Sequence, residues 1–74
     1  LRRKINMNTK TFEGILKSAK FMVNKIKRTH YIYKHKDTED YFYTHLSPEH
    51  SDLKEDIYVG KVELQNNICT YKKG

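Results

Sequence analysis

The chain has no tryptophan, one cysteine, one proline, one alanine and only three glycines in 74 residues. Each scarcity excludes something. A lone cysteine, Cys69, cannot close an internal disulfide, so the chain is not a stapled secreted scaffold, and a reducing, cytoplasmic setting is expected. The glycines stand singly at Gly14, Gly60 and Gly74, so there is no glycine-rich loop of the kind that cradles phosphates. No apolar run approaches the ~20 residues that a membrane span needs, and no apolar stretch of signal length follows the basic start. No membrane partner is expected. There is no internal repeat, low-complexity tract or linker, and a chain of this length has room for one core.

Acids are scarce too, but only in the first half. Residues 1–36 hold eleven Lys or Arg against Glu13 alone, whereas residues 37–56 hold seven acids against Lys54. The net charge is +6. Segregation of this kind predicts a bipolar surface that steers an anionic partner to one side. The abundance of Lys, Asn, Ile and Tyr with a single alanine is also what an AT-rich genome imposes. That composition accounts for part of the lysine excess and suggests a bacterium of that kind, or one of its phages or plasmids.

What is present begins with a helix. Phe12, Ile15, Leu16, Ala19, Met22, Val23 and Ile26 follow the i, i+3, i+4, i+7 spacing of a buried helical face and fall within roughly 120° of one another. The pattern predicts a helix over 11–28, capped by Asn8 or Thr9, after a basic, flexible lead-in over 1–8. Lys17, Lys20, Lys25, Lys27 and Arg28 lie on the other side. Among them is Phe21, about 180° from Phe12 and unexplained by the core pattern.

Four strand signals follow. Residues 29–36 and 41–46 read as a hairpin around the polar turn Asp37, Thr38, Glu39, Asp40. A two- or four-residue loop pairs Lys36 with Tyr41. It sets Tyr31 and Tyr33 on one face with Phe42, Thr44 and Leu46, and sets His30, Ile32, Lys34, Tyr41, Tyr43 and His45 on the other. A three-residue loop would instead gather the tyrosines on one open face. It normally wants a glycine, which this turn lacks, so the even loop is favoured. Ser47, Pro48 and Glu49 suit the start of a short helical turn, with Leu53 tucked inward. Residues 57–64 change phase between Ile57/Val59 and Val62/Leu64, and Gly60 at the break reads as a β-bulge. Gln65, Asn66 and Asn67 form a tight turn into a last strand over 68–71. The expected fold is therefore α+β, with residues 9–74 as a single domain. One amphipathic helix packs on a three- to four-stranded antiparallel sheet, an α-β-β-β-β meander.

The search for chemistry is mostly negative. His30, His35, His45 and His50 lack helical ligand spacing, and no Cys-x-x-Cys or His-Glu-x-x-His occurs, so no metal or other cofactor is expected. The acids lack the calcium-loop pattern. Cys69 reads as a small packed residue. Metal-free RNA cleavage by a small basic toxin needs only His, Lys and Tyr, and would fall to His30, His45, Tyr43 and Lys34; it rests on fold-level analogy alone. The stronger signal combines cations with aromatics, nine of them in 74 residues. Nucleic-acid binders use basic side chains for phosphates and rings for bases. The leading expectation is a small non-enzymatic nucleic-acid-binding or regulatory protein. Its contacts would be Lys17, Lys20, Lys25, Lys27 and Arg28 on the helix, with Lys34, Tyr41 and Tyr43 on an open sheet face. The alternative is an inhibitor or adaptor anchored by Phe21 on an acidic protein surface; a second copy of the helix, in a homodimer, would also cover that ring.

Overall fold

The structure, a computed structural model, describes residues 10–49 and 56–74. It contains one helix, α1 (Phe12–Ile26), followed by four strands: β1 (His30–His35), β2 (Tyr41–Thr44), β3 (Asp56–Gln65) and β4 (Ile68–Lys73). All pairings are antiparallel. The helix lies across one face of the sheet, touching every strand. Among the described residues, no helix is long and apolar enough to cross a membrane. The α+β architecture is the one expected from the patterning.

The helix begins where Thr11 takes an extended conformation and its hydroxyl accepts from the Gly14 amide at 3.1 Å. The expected caps, Asn8 and Thr9, lie outside the described residues. The helix stops two residues before its expected end, because Lys27 swings into the left-handed region (φ 57°, ψ 45°) while its amide still donates to the Val23 carbonyl. That conformation crowds Cβ and is usually given to glycine. The Lys27 charge compensates in part, since it sits on the negative end of the helix dipole. Lys27→Gly is expected to raise stability by about 0.5 kcal/mol, read as a higher urea midpoint, because relief of the left-handed strain outweighs the lost charge and the added freedom of the unfolded chain.

Ala19 and Val23 from α1 meet Ile32 and Val62 from the sheet, and all four are fully buried. Burying each of the three larger side chains stabilises the fold by about 1.5–3 kcal/mol. Phe12, Ile15 and Leu16 pack around this nucleus. The other two residues of the apolar stripe do not belong to it. Met22 is half-buried at the margin of the helix, and Ile26, the last helical residue, stays 47% exposed.

The hairpin β1–β2 has the expected faces but a register shifted by two residues. Lys34, not Lys36, pairs with Tyr41, and the His35 amide donates to the Asp40 carbonyl across a four-residue loop. Thr38 tightens that loop by accepting from the Asp40 amide. The bulge is where the change of phase put it: the β1–β3 register slips between Ile32, opposite Gly60, and Tyr33, opposite Tyr58. Val59 is the extra residue, and both Val59 and Gly60 turn toward the helix. Asn66 and Asn67, with φ of 55° and 67°, make the two-residue β3–β4 turn. Pro48 and Glu49 lie in a turn with no helix among the described residues, and Leu53 lies outside them.

The strand order corrects the expected meander. It is β2-β1-β3-β4, so β3 returns to pair with β1 on the side away from β2. Two strands that both run antiparallel to β1 are parallel to each other. β2 and β3 therefore start at the same end of the sheet. The helix occupies one face, and the connection sets out over the other, where the Tyr33 hydroxyl donates to the Leu46 carbonyl at 2.9 Å.

Candidate functional site

The two sheet faces differ in what they leave for a partner. The outer face, away from α1, carries a row of rings. Tyr33 stacks on Phe42 with centroids 5.5 Å apart, Phe42 stacks on His35 at 4.7 Å, and Tyr58 tilts against Tyr33 at 5.6 Å and Tyr31 at 6.3 Å. These rings satisfy one another. Tyr33 is only 1% exposed, beneath the start of the β2–β3 connection. Burial pushes its hydroxyl up to about 12, with negative neighbours adding to the shift. Burial also raises Tyr58, partly offset by Lys61. Beside the rings, Glu63 lies 3.5 Å from the Lys61 ammonium and 3.4 Å from that of Lys72. Desolvation alone would raise the Glu63 carboxyl; the two lysines overcome it and hold the group below the usual carboxylate range. Glu63 thus engages both lysines of this patch.

The inner face was expected to be open at Lys34, Tyr41 and Tyr43. Instead it is the face the helix covers, because Ile32 lies in the same row of side chains and needs burial. The Tyr41 ring meets Phe12 edge-on at 5.6 Å, and Phe12 also meets Tyr71 at 5.5 Å. Lys34 pairs with Glu39 at 3.5 Å. These two expected contact residues are therefore engaged within the fold, near the turn that carries Asp37, Glu39 and Asp40. The Lys10 amide donates to an Asp40 carboxylate oxygen at 3.0 Å, and the Tyr41 amide donates to the Lys10 carbonyl at 2.8 Å. These bonds fix the acidic turn beside the start of α1. The charge segregation along the sequence becomes a segregation in space, with acids near the helix N-terminus and Lys25, Lys27 and Arg28 at its C-terminal end.

The remaining expected residues divide between two sides of α1. Lys17, Phe21 and Tyr43 come together with Ser18 and Met22 around a shallow hollow of about 480 Å³ between the helix and edge strand β2. Phe21 is 64% exposed. The Lys25 ammonium lies over its ring, 5.8 Å from the centroid. Lys20 is on the opposite flank, lining a second hollow of about 310 Å³ with Glu13, Leu16 and Lys17. On that side the helix is tied down where the Cys69 thiol donates weakly to the Lys20 carbonyl at 3.3 Å. Among the described residues, no acid pairs with Lys17, Lys20, Lys25, Lys27 or Arg28.

Ser18 and Met22 were not expected at the site. Periodicity places Met22 in the apolar stripe, but at its edge, and there it lines the hollow. Tyr43, which lines the hollow, is held in turn by His30. This buried histidine places its ring edge-on to Tyr43, with centroids 5.6 Å apart. Its Nδ1 lies 2.8 Å from the Arg28 carbonyl. A carbonyl only accepts, so Nδ1 carries the proton and donates. Of the four residues named for RNA cleavage, His30 and Tyr43 are therefore adjacent, His45 is exposed just beyond β2, and Lys34 is held by Glu39. Among the described residues, no group of three or more His, Cys, Asp or Glu is placed to hold a metal ion. Comparison with family models, with curated proteins and with solved structures finds no match.

Proposed function

We propose that this domain is a non-enzymatic binding or regulatory protein that takes a nucleic acid on the solvent side of α1. The observation that carries the reading is the set of cations along and beyond the helix, Lys17, Lys20, Lys25, Lys27 and Arg28, which have no acidic partner among the described residues. The acids near the helix N-terminus would repel a polyanion there and so set which end of the helix it meets. Phosphate contact releases counterions, so affinity should fall steeply with salt. Four phosphate contacts predict a loss of roughly 50-fold between 50 and 200 mM salt, measured by fluorescence anisotropy with a labelled oligonucleotide. Lys17→Glu with Lys25→Glu should weaken binding at every salt concentration and flatten the dependence. No binding to DNA or RNA at low ionic strength defeats the reading.

The exposed Phe21 ring favours a second reading, a protein partner with an acidic surface and a pocket for that ring. A complex recovered from host lysate that persists after exhaustive nuclease treatment would select it over the first.

A further inference from the structure

The hollow beside Phe21 narrows the kind of nucleic acid. We infer that it takes an unpaired base of a single strand, stacked on Phe21, with Lys17 and Lys25 on the adjoining phosphates. This rests on the nucleic-acid reading above. A duplex presents phosphates and the edges of its base pairs, and the base faces are hidden in the stack. Reading edges takes hydrogen-bonding side chains at the centre of a recognition helix. The centre of this surface is instead a phenylalanine, which has no donor or acceptor, and its neighbours in the hollow include Met22 and Tyr43. Apolar and aromatic walls with one or two cations at the rim suit the face of a heterocycle.

Geometry supports the same occupant. Lys17, Phe21 and Lys25 are four residues apart and so lie along one line of the helix, about 6 Å per step. The ring is flanked on both sides by a flexible cation. The Lys25 ammonium rests over the ring at 5.8 Å, so a cation already occupies one approach to it. An exposed cation–π contact is weak and exchangeable. An arriving base would take the ring face, and the ammonium would move to the phosphate that comes with it. A hollow of about 480 Å³ lies in the range of small-ligand sites and leaves space beside the ring. The outer sheet face offers no comparable platform, because Tyr33, Phe42 and Tyr58 already pack on one another.

The chain has no tryptophan, which makes a direct test available. Phe21→Trp would place a sole indole at the proposed platform, at a position exposed enough to accept it. Its emission should be quenched by a labelled-free 12-nucleotide oligo(dT) or oligo(U) and little affected by a duplex of the same length. In parallel, Phe21→Ala should weaken single-strand binding roughly tenfold and duplex binding less than twofold, with an unchanged circular dichroism spectrum. Equal affinity for both polymers, together with no effect of Phe21→Ala, overturns the stacking inference while leaving the phosphate-driven reading standing. Absence of quenching by a single strand that demonstrably binds overturns it as well. Absence of binding to any polymer at low salt defeats the reading on which it depends.

Discussion

Gly60→Ala is expected to cost about 3 kcal/mol, and Gly60→Val to leave the domain unfolded at room temperature. A methyl group at Gly60 would lie 2.6 Å from the Lys72 carbonyl oxygen, 2.6 Å from the Tyr71 hydroxyl and 2.7 Å from Tyr71 Cε1. Real Cβ atoms do not tolerate such distances. The Lys72 carbonyl belongs to the backbone of the β3–β4 ladder, so it moves only if the pairing of Gly60 with Lys73 is disturbed. The Tyr71 ring is held in turn by Phe12, at 5.5 Å between centroids. Overpacking of a filled site costs about 1–3 kcal/mol, and a clash with backbone belongs at the upper end. A single core in a domain this small supplies only ~3–5 kcal/mol, so the loss is most of the margin. Urea denaturation followed by circular dichroism measures it. Tyr71→Phe in the Gly60→Ala background removes the hydroxyl contact but not the carbonyl contact, so it should restore only part of the stability. A Gly60→Ala variant within about 0.5 kcal/mol of wild type would show that β3 and β4 do not approach as described.

Gly60 also shows which parts of this structure were legible in the sequence. The change of phase between Val59 and Val62 is a local signal, because side-chain alternation has a fixed period of two and one misfit locates one extra residue. The helical stripe and the paired asparagines of the last turn are local in the same sense. Strand order is not. Residues 45–55 are polar and carry no mark of which edge of the hairpin they return to, so β3 beside β1 could not be separated from β3 beside β2. The misplacement of the open face has another cause: Ile32 shares a face with Lys34, Tyr41 and Tyr43, and its burial puts that face under the helix. Parity correctly divided Tyr31 and Tyr33 from Tyr41 and Tyr43. Which set faced solvent depended on which face the helix covered. Phe21 was visible because it violated a local pattern, whereas its meeting with Tyr43 required the helix to be docked beside β2. The two helix ends were misjudged for a related reason. Several polar residues could cap the start, and nothing in a lysine announces a left-handed backbone.

The buried tyrosine of the outer face gives the second large effect. Tyr33→Ala removes a ring that packs on Phe42 and Tyr58 and should cost about 3–5 kcal/mol, enough to unfold much of the population. Tyr33→Phe isolates the hydroxyl and has a distinctive pH dependence. At pH 7 it loses the bond to the Leu46 carbonyl, a net cost of about 1 kcal/mol. In the wild type, burial holds the folded-state pKa near 12, against 10 for an ordinary tyrosine. The unfolded chain therefore gives up this proton first as pH rises. Between pH 10 and 12 the folded state binds more protons than the unfolded state, and wild-type stability falls with pH. Two pKa units correspond to at most about 2.7 kcal/mol lost as pH rises through that window, and almost none of it is lost below about pH 9. Phenylalanine has no such titration, and the lysines, whose ionisation spans the same range, are common to both proteins and cancel in the difference. Wild type should therefore be the more stable at pH 7, equal to Tyr33→Phe near roughly pH 11, and the less stable above it. Paired urea titrations from pH 7 to 11.5 decide the matter. A constant difference across that range would mean that the Tyr33 hydroxyl ionises as freely in the folded chain as in the unfolded one, and that the outer face is open after all.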